Sequence, residues 1–143
     1  MAGQILLVED DENDELLTVR ALKKSKLQNR IDVVRDGQEA VDYLFCQGSY
    51  RERPRDLPDM ILLDLNLPKL NGLEVLKRIK ADEDLKKVPV IMLTTSTEES
   101  DLIAAYTNGV NSYVQKPVDI TDFMEAIQKL ELYWFILNRR PGA

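Results

Sequence analysis

Five short strand-like segments, most of them apolar, punctuate the chain, each stopped by polar or turn-forming residues. Gln4-Ile-Leu-Leu-Val8 ends at Glu9-Asp10-Asp11, and Met60-Ile-Leu-Leu63 runs directly into Asp64. Ile31-Asp-Val-Val34, Val88-Pro-Val-Ile-Met-Leu-Thr-Thr95 and Ser112-Tyr-Val-Gln-Lys116 complete the set. Brief apolar runs of this kind suit strands, and the unbroken ones suit strands buried on both faces of a sheet. Pro89 stands at the beginning of the fourth run, where a missing N–H is tolerated.

Between the runs the apolar spacing becomes helical. Leu17, Ala21 and Leu22 share one face of a first helix, which Asp11 to Asn13 can cap. Lys23, Lys24 and Lys26 suit its C-terminus, where the helix dipole prefers cations. Asp36-Gly37 turns into a second helix carrying Ala40, Val41 and Leu44. A third, from about Gly72 to Ala81, presents Leu73, Leu76 and Ile79. Ser96-x-x-Glu99 is a capping-box pattern that opens a fourth, and Asn108-Gly109 closes it. The last helix is expected from near Asp119 to about Asn138. Residues 47–58 are polar with two prolines and read as a loop, longer than such connections usually are.

Strands alternating with helices imply a parallel sheet covered on both faces. Right-handed crossovers leave few topologies, and the leading one is a flavodoxin-like, doubly wound α/β fold with strand order 2-1-3-4-5. The 143 residues suit a single domain over 1–143 with one proper core.

Composition narrows the chemistry. The chain is 44% hydrophobic and 31% charged, as ordinary soluble globules are. Its net charge of −6 argues against direct nucleic-acid binding, which relies on basic patches. No apolar run approaches the length that spans a bilayer, and no signal peptide is visible at the start. The single cysteine, Cys46, permits no internal disulfide and fits a cytoplasmic location. The count of zero histidines is the most restrictive. It excludes Ser-His and Cys-His catalysis, HExxH metal sites and a phosphohistidine on this chain. Carboxylates, hydroxyls, lysine and a hard metal ion remain.

In the expected fold the carboxyl ends of the strands share one edge, where ligands bind. That edge gathers Glu9, Asp10 and Asp11, then Asp64, then Thr94 and Thr95, then Lys116. Two carboxylates about 4 Å apart repel by roughly 4 kcal/mol at an effective dielectric near 20. Such a cluster needs a cation, and oxygen-only ligands suit Mg²⁺. An aspartate there can accept a phosphoryl group as an acyl phosphate, with the metal and the Lys116 ammonium offsetting charge on the transferred oxygens. A Thr94 hydroxyl can then hydrogen-bond a phosphate oxygen.

Val-Glu-Asp-Asp at 8–11, Leu-Leu-Asp-Leu-Asn-Leu-Pro-x-x-Asn-Gly at 62–72, Pro-Val-Ile-Met-Leu-Thr-Thr at 89–95 and Tyr-Val-Gln-Lys-Pro at 113–117 together resemble the receiver domain of two-component response regulators. The resemblance covers nearly the whole chain. It implies that a sensor histidine kinase phosphorylates Asp64. It implies that Asp10 and Asp64 bind Mg²⁺ directly, with Asn66 giving its backbone carbonyl and Glu9 acting through water. Lys116 would contact the phosphoryl group, and Thr94 and Tyr113 would match the family's switch pair. Glu9 departs from the commoner aspartate, and its longer arm bears on metal geometry. The resemblance implies a signalling domain rather than an enzyme, with at most weak self-catalysed phosphotransfer and autodephosphorylation. The long 47–58 loop and the aromatic last helix resemble single-domain regulators paired with bacterial and cyanobacterial phytochromes. A phytochrome-type kinase is the expected partner. No output domain is expected, so any output passes through a separate partner.

In the last helix Phe123, Ile127, Leu130, Trp134 and Leu137 form a stripe assigned to the core. Leu132, Phe135 and Ile136 point elsewhere, with Tyr133 at the flank. The surplus apolar face is expected either to join a homodimer through Tyr133, Phe135 and Ile136, on the side of the fourth helix, fifth strand and fifth helix, or to lie under the long loop. Two other functions compete. A phosphatase with an aspartate nucleophile generally needs an acid/base two residues on, where this chain has Asn66. A flavodoxin-like nucleotide module needs a glycine-rich loop after the first strand, where this chain has acids.

Overall fold

The computed structural model describes residues 4–24, 30–95 and 98–126. The strands are β1 (Gln4–Val8), β2 (Arg30–Val34), β3 (Met60–Asp64), β4 (Val90–Thr94) and β5 (Ser112–Gln115). The helices are α1 (Glu12–Lys24), α2 (Gly37–Phe45), α3 (Gly72–Ala81) and α4 (Glu99–Thr107). Residues 120–126 are also helical and are called α5. All pairings are parallel and the order is β2-β1-β3-β4-β5, the doubly wound arrangement that the alternation predicts.

The three central strands are buried at every position, which is why their sequences are unbroken apolar runs. Alternate residues feed two cores. On one face Leu6, Val8, Ile61, Leu63 and Met92 meet Ala40, Val41 and Leu44 of α2, Val75, Leu76 and Ile79 of α3, and Ala105 of α4. On the other Ile5, Leu7, Leu62, Ile91 and Leu93 meet Ala21 and Leu22 of α1 and Phe123 and Ala126 of α5. Fully burying a side chain such as Leu76 or Phe123 contributes roughly 1.5–3 kcal/mol. The edge strands carry polar residues, and β5 alternates buried and exposed positions.

Several boundaries differ from expectation. The fourth strand starts at Val90 rather than Val88, because a 3₁₀ turn over Leu85–Lys87 takes Val88 N–H onto Leu85 O at 2.9 Å. The fifth ends at Gln115, with Lys116 immediately beyond it. Loop 47–58 contains a 3₁₀ turn at Gly48–Tyr50 and packs on α2. Its Arg53 guanidinium lies 3.8 Å above the Tyr43 ring, Tyr50 meets Tyr43 edge to face at 5.3 Å, and the Tyr50 hydroxyl donates to Glu39 Oε2 at 2.6 Å. The loop therefore serves the α2 side of the sheet, opposite α5. Ser96 of the expected capping box lies outside the described residues, as do Ile127, Leu130, Trp134 and Leu137.

Two glycines shape the connection after β3. A Cβ on Gly72 would stand 2.1 Å from Asp64 O, and one on Gly37 would stand 1.7 Å from Leu70 O. No side chain fits at either close approach. Gly72 N–H donates to Leu65 O at 2.9 Å, and Lys69 takes a left-handed φ of 68°. Asn71 then caps α3, accepting from Glu74 N–H at 3.0 Å.

Candidate functional site

The strand register brings the predicted acids to one rim. Val8 pairs with Leu63 and Asp64 with Leu93, so the residues that follow β1 and end β3 are adjacent. Glu9 N–H extends the ladder onto Val34 O at 3.0 Å, and Lys116 N–H extends it onto Thr94 O at 2.7 Å. Glu9 is 0%, Asp64 3%, Thr94 1% and Lys116 9% exposed, while Asp10 faces solvent. Burial of this many charges requires pairing.

Lys116 provides it. Its Nζ stands 2.8 Å from Glu9 Oε1, 2.8 Å from Asp64 Oδ2 and 3.0 Å from Asp14 Oδ2. Asp64 Oδ1 accepts from Asn66 N–H at 3.1 Å, and Glu9 Oε2 accepts weakly from Asp11 N–H at 3.3 Å. Burial pushes the Glu9 carboxyl up to about 7; Lys116 opposes that rise and Asp64 adds to it. Burial also pulls the Lys116 ammonium down, but the hydrogen bonds it donates to Asp64 and Asp14 and its ion pair with Glu9 outweigh that and hold its pKa above the usual lysine range.

Asp14 is the residue that the sequence reading missed. It sits in the first turn of α1, where Asp11 caps the helix by accepting from Asp14 N–H at 2.9 Å. Acids favour that turn for dipole reasons alone, so nothing in its local sequence separates it from its acidic neighbours.

One carboxylate oxygen each from Glu9, Asp10 and Asp64 lie within 4.8 Å of one another. The donors are all oxygen, as a hard divalent cation prefers. Glu9 Oε1 is buried and receives no aligned hydrogen bond, despite its 2.8 Å charge contact with Lys116. The Lys116 ammonium attracts Glu9 Oε1 by charge without donating an aligned hydrogen bond to it. The residues present therefore fit a divalent ion.

Asn66 is exposed and touches the site through its backbone N–H. Tyr113 lies on β5 level with Met92, two residues before the strand end. It is 37% exposed and meets Tyr106 edge to face at 6.0 Å. Thr94 and Tyr113 thus occupy neighbouring strands, with the ring on the outside. Tyr133, Phe135 and Ile136, the expected dimer residues, lie outside the described residues. Among the described residues no helix is long and apolar enough to cross a membrane.

Comparison with known proteins gives these features a context. Residues 5–128 match the response regulator receiver domain. The chain is 45% identical over 138 residues to the probable methanogenesis regulatory protein FilR2 of Methanothrix harundinacea, covering 96% of this chain and 87% of that one. It is 44% identical over 139 residues to response regulator Rcp1 of Synechocystis, covering 97% and 93%. The crystal structure of the Mn²⁺-bound form of Rcp1 superposes with a TM-score of 0.76, covering 92% of this chain and 94% of that one at 45% identity. The bacteriophytochrome response regulator RtBRR superposes with a TM-score of 0.84 at 52% identity, covering 91% and 78%. The rim of acids around a buried lysine, on a sheet of this order, belongs to two-component signalling, and the chain is a member of the response regulator receiver domain family.

Proposed function

We propose that this protein is a single-domain phosphorylation switch, in which Asp64 accepts a phosphoryl group from the phosphohistidine of a sensor histidine kinase with Mg²⁺ at the site. The carrying observation is the position of Asp64 Oδ2. It is almost fully buried at the sheet rim, 2.8 Å from the Lys116 ammonium, beside two further acids. Asp64 Oδ1 accepts from Asn66 N–H and Oδ2 accepts from Lys116, which hold the carboxylate in place for one of its oxygens to attack. A bond forms between that oxygen and phosphorus, the phosphorus–imidazole bond breaks, and the imidazole leaves with the electron pair. Lys116 then follows the charge onto the phosphoryl oxygens.

Glu9, Asp10, Asp64 and the Asn66 backbone carbonyl would hold the metal ion. Bound there, a divalent ion offsets the negative charge on the transferred oxygens. The Mn²⁺-bound Rcp1 structure supports this reading. Support for a phytochrome-type kinase comes from the 52% identity to RtBRR.

Thr94 and Tyr113 form the switch. The buried Thr94 hydroxyl turns to the phosphoryl group and the Tyr113 ring leaves Tyr106 for the interior, reshaping the α4–β5–α5 surface. That surface exposes Ile103 at 57%, Tyr106 at 49% and Tyr113 at 37%, an apolar patch suited to a second copy or an output partner. The protein acts as a phosphoacceptor in the cytoplasm, with slow self-dephosphorylation and no direct contact with nucleic acid or membrane.

The test is incubation with acetyl phosphate and Mg²⁺ followed by intact mass. One base-labile phosphoryl addition is expected, absent in Asp64→Asn. Labelling that persists in that variant places the acceptor elsewhere. Sedimentation with and without phosphorylation checks the dimer, and a monomer under both conditions at tens of micromolar removes it.

A further inference from the structure

We propose that Asp14 is a positioning residue for Lys116, the carboxylate to which the ammonium retreats when a divalent cation takes over Glu9 and Asp64. The inference rests on the metal site proposed above. An ammonium has three N–H donors, and Lys116 has three carboxylate neighbours, on the residue after β1, on α1 and at the end of β3. Two of the three, Glu9 and Asp64, belong with Asp10 to the set of converging oxygens. Asp14 does not. The divalent ion and the ammonium therefore compete for the same two carboxylates, and they repel each other.

The ammonium cannot turn to bulk water instead, because the Lys116 side chain is only 6% exposed. Asp14 gives it a negative partner that the metal does not use. Its own side chain is 30% exposed, so its carboxylate is the least costly of the three to keep charged. The Asp11 cap holds the Asp14 backbone through the Asp14 N–H, not through its side chain. Changing the carboxylate therefore leaves the helix start intact. Without Asp14, the ammonium would lean fully on Glu9 and Asp64, and the metal would have to displace it with no alternative partner in place.

Calorimetric titration of Mg²⁺ into the wild type, Asp14→Asn, Asp14→Glu, Lys116→Met and the Asp14→Asn/Lys116→Met pair tests this. Asp14→Asn weakens Mg²⁺ binding by about fivefold or more when Lys116 is present and by less than about twofold when it is absent, the coupling expected of two residues in contact. Asp14→Glu restores binding. Equal weakening in both backgrounds would mean that Asp14 acts on the metal itself and would overturn the proposal, as would no effect in either. A second arm needs neither metal nor a Lys116 variant. In metal-free protein, proton exchange at the Lys116 ammonium followed by ¹⁵N NMR accelerates in Asp14→Asn and not in Asp14→Glu; unchanged exchange in Asp14→Asn overturns the proposal. If the wild type binds no Mg²⁺, the metal site is wrong, and the exchange arm still decides whether Asp14 holds the ammonium.

Discussion

Lys116 Nζ and Asp64 Oδ2 stand 2.8 Å apart, with their side chains 6% and 4% exposed. Removing one partner of a buried ion pair leaves the other uncompensated. Lys116→Met is expected to destabilise the metal-free protein by roughly 3 kcal/mol. Saturating Mg²⁺ recovers much of that loss, because the cation replaces the missing charge. Urea unfolding with and without Mg²⁺ measures both.

Asp10 is the exposed member of the acidic trio. Asp10→Asn removes one charge from the proposed metal site without opening a buried cavity. It lowers Mg²⁺ affinity on the order of tenfold and leaves the metal-free unfolding midpoint within experimental scatter. Calorimetric titration beside a urea melt separates the two effects.

Gly72 supports the backbone of Asp64, the proposed phosphoacceptor. Because a Cβ there would press on Asp64 O at 2.1 Å, the loop must move in Gly72→Ala. The expected cost is about 1–3 kcal/mol, with slower labelling of Asp64 by a small phosphodonor. Unchanged labelling in a destabilised variant would show that the loop relaxes away from the acid.

Tyr50 gives the pH dependence that the loop confers. Its hydrogen bond to the Glu39 carboxylate and then burial push the phenol up to about 12. The folded state keeps this proton longer than the unfolded chain. The stabilisation is therefore complete below the ordinary value of 10 and is lost as pH rises towards 12. Burial also raises the phenols of Tyr43 and Tyr106, so absorbance titration near the tyrosinate band is expected to show several late phenols, of which the Tyr50 one moves down in Glu39→Gln.

The central strands were legible because burial on both faces forces continuous apolar sequence, as in Ile5–Val8 and Met60–Leu63. Glu9 and Asp64 were legible because each stands at the end of such a run, and Lys116 because it closes the last strand-like segment just before Pro117. Arg30 was not read as part of β2, since an edge strand accepts a charged residue that a central one would exclude. Val88 looked like strand because it is apolar, yet a turn claims its N–H. Asp14 was invisible for a different reason. Its contact with Lys116 spans 102 residues and depends on how one helical turn faces the sheet edge, which no local pattern encodes. The Tyr43, Tyr50 and Arg53 packing was likewise hidden in a segment whose prolines and charges suggested only loop.

The central strands are sealed above and below by separate layers of close-packed side chains. Such interiors deform little, so the sheet acts as a stiff plate between its helices. News of the proposed phosphorylation at Asp64 then has to run along the margin of that plate, through the segments that leave Thr94 and enter Lys116. Substitutions in the plate's interior, at Leu62 or Ile91, should change how hot the protein can be run and leave untouched what it says.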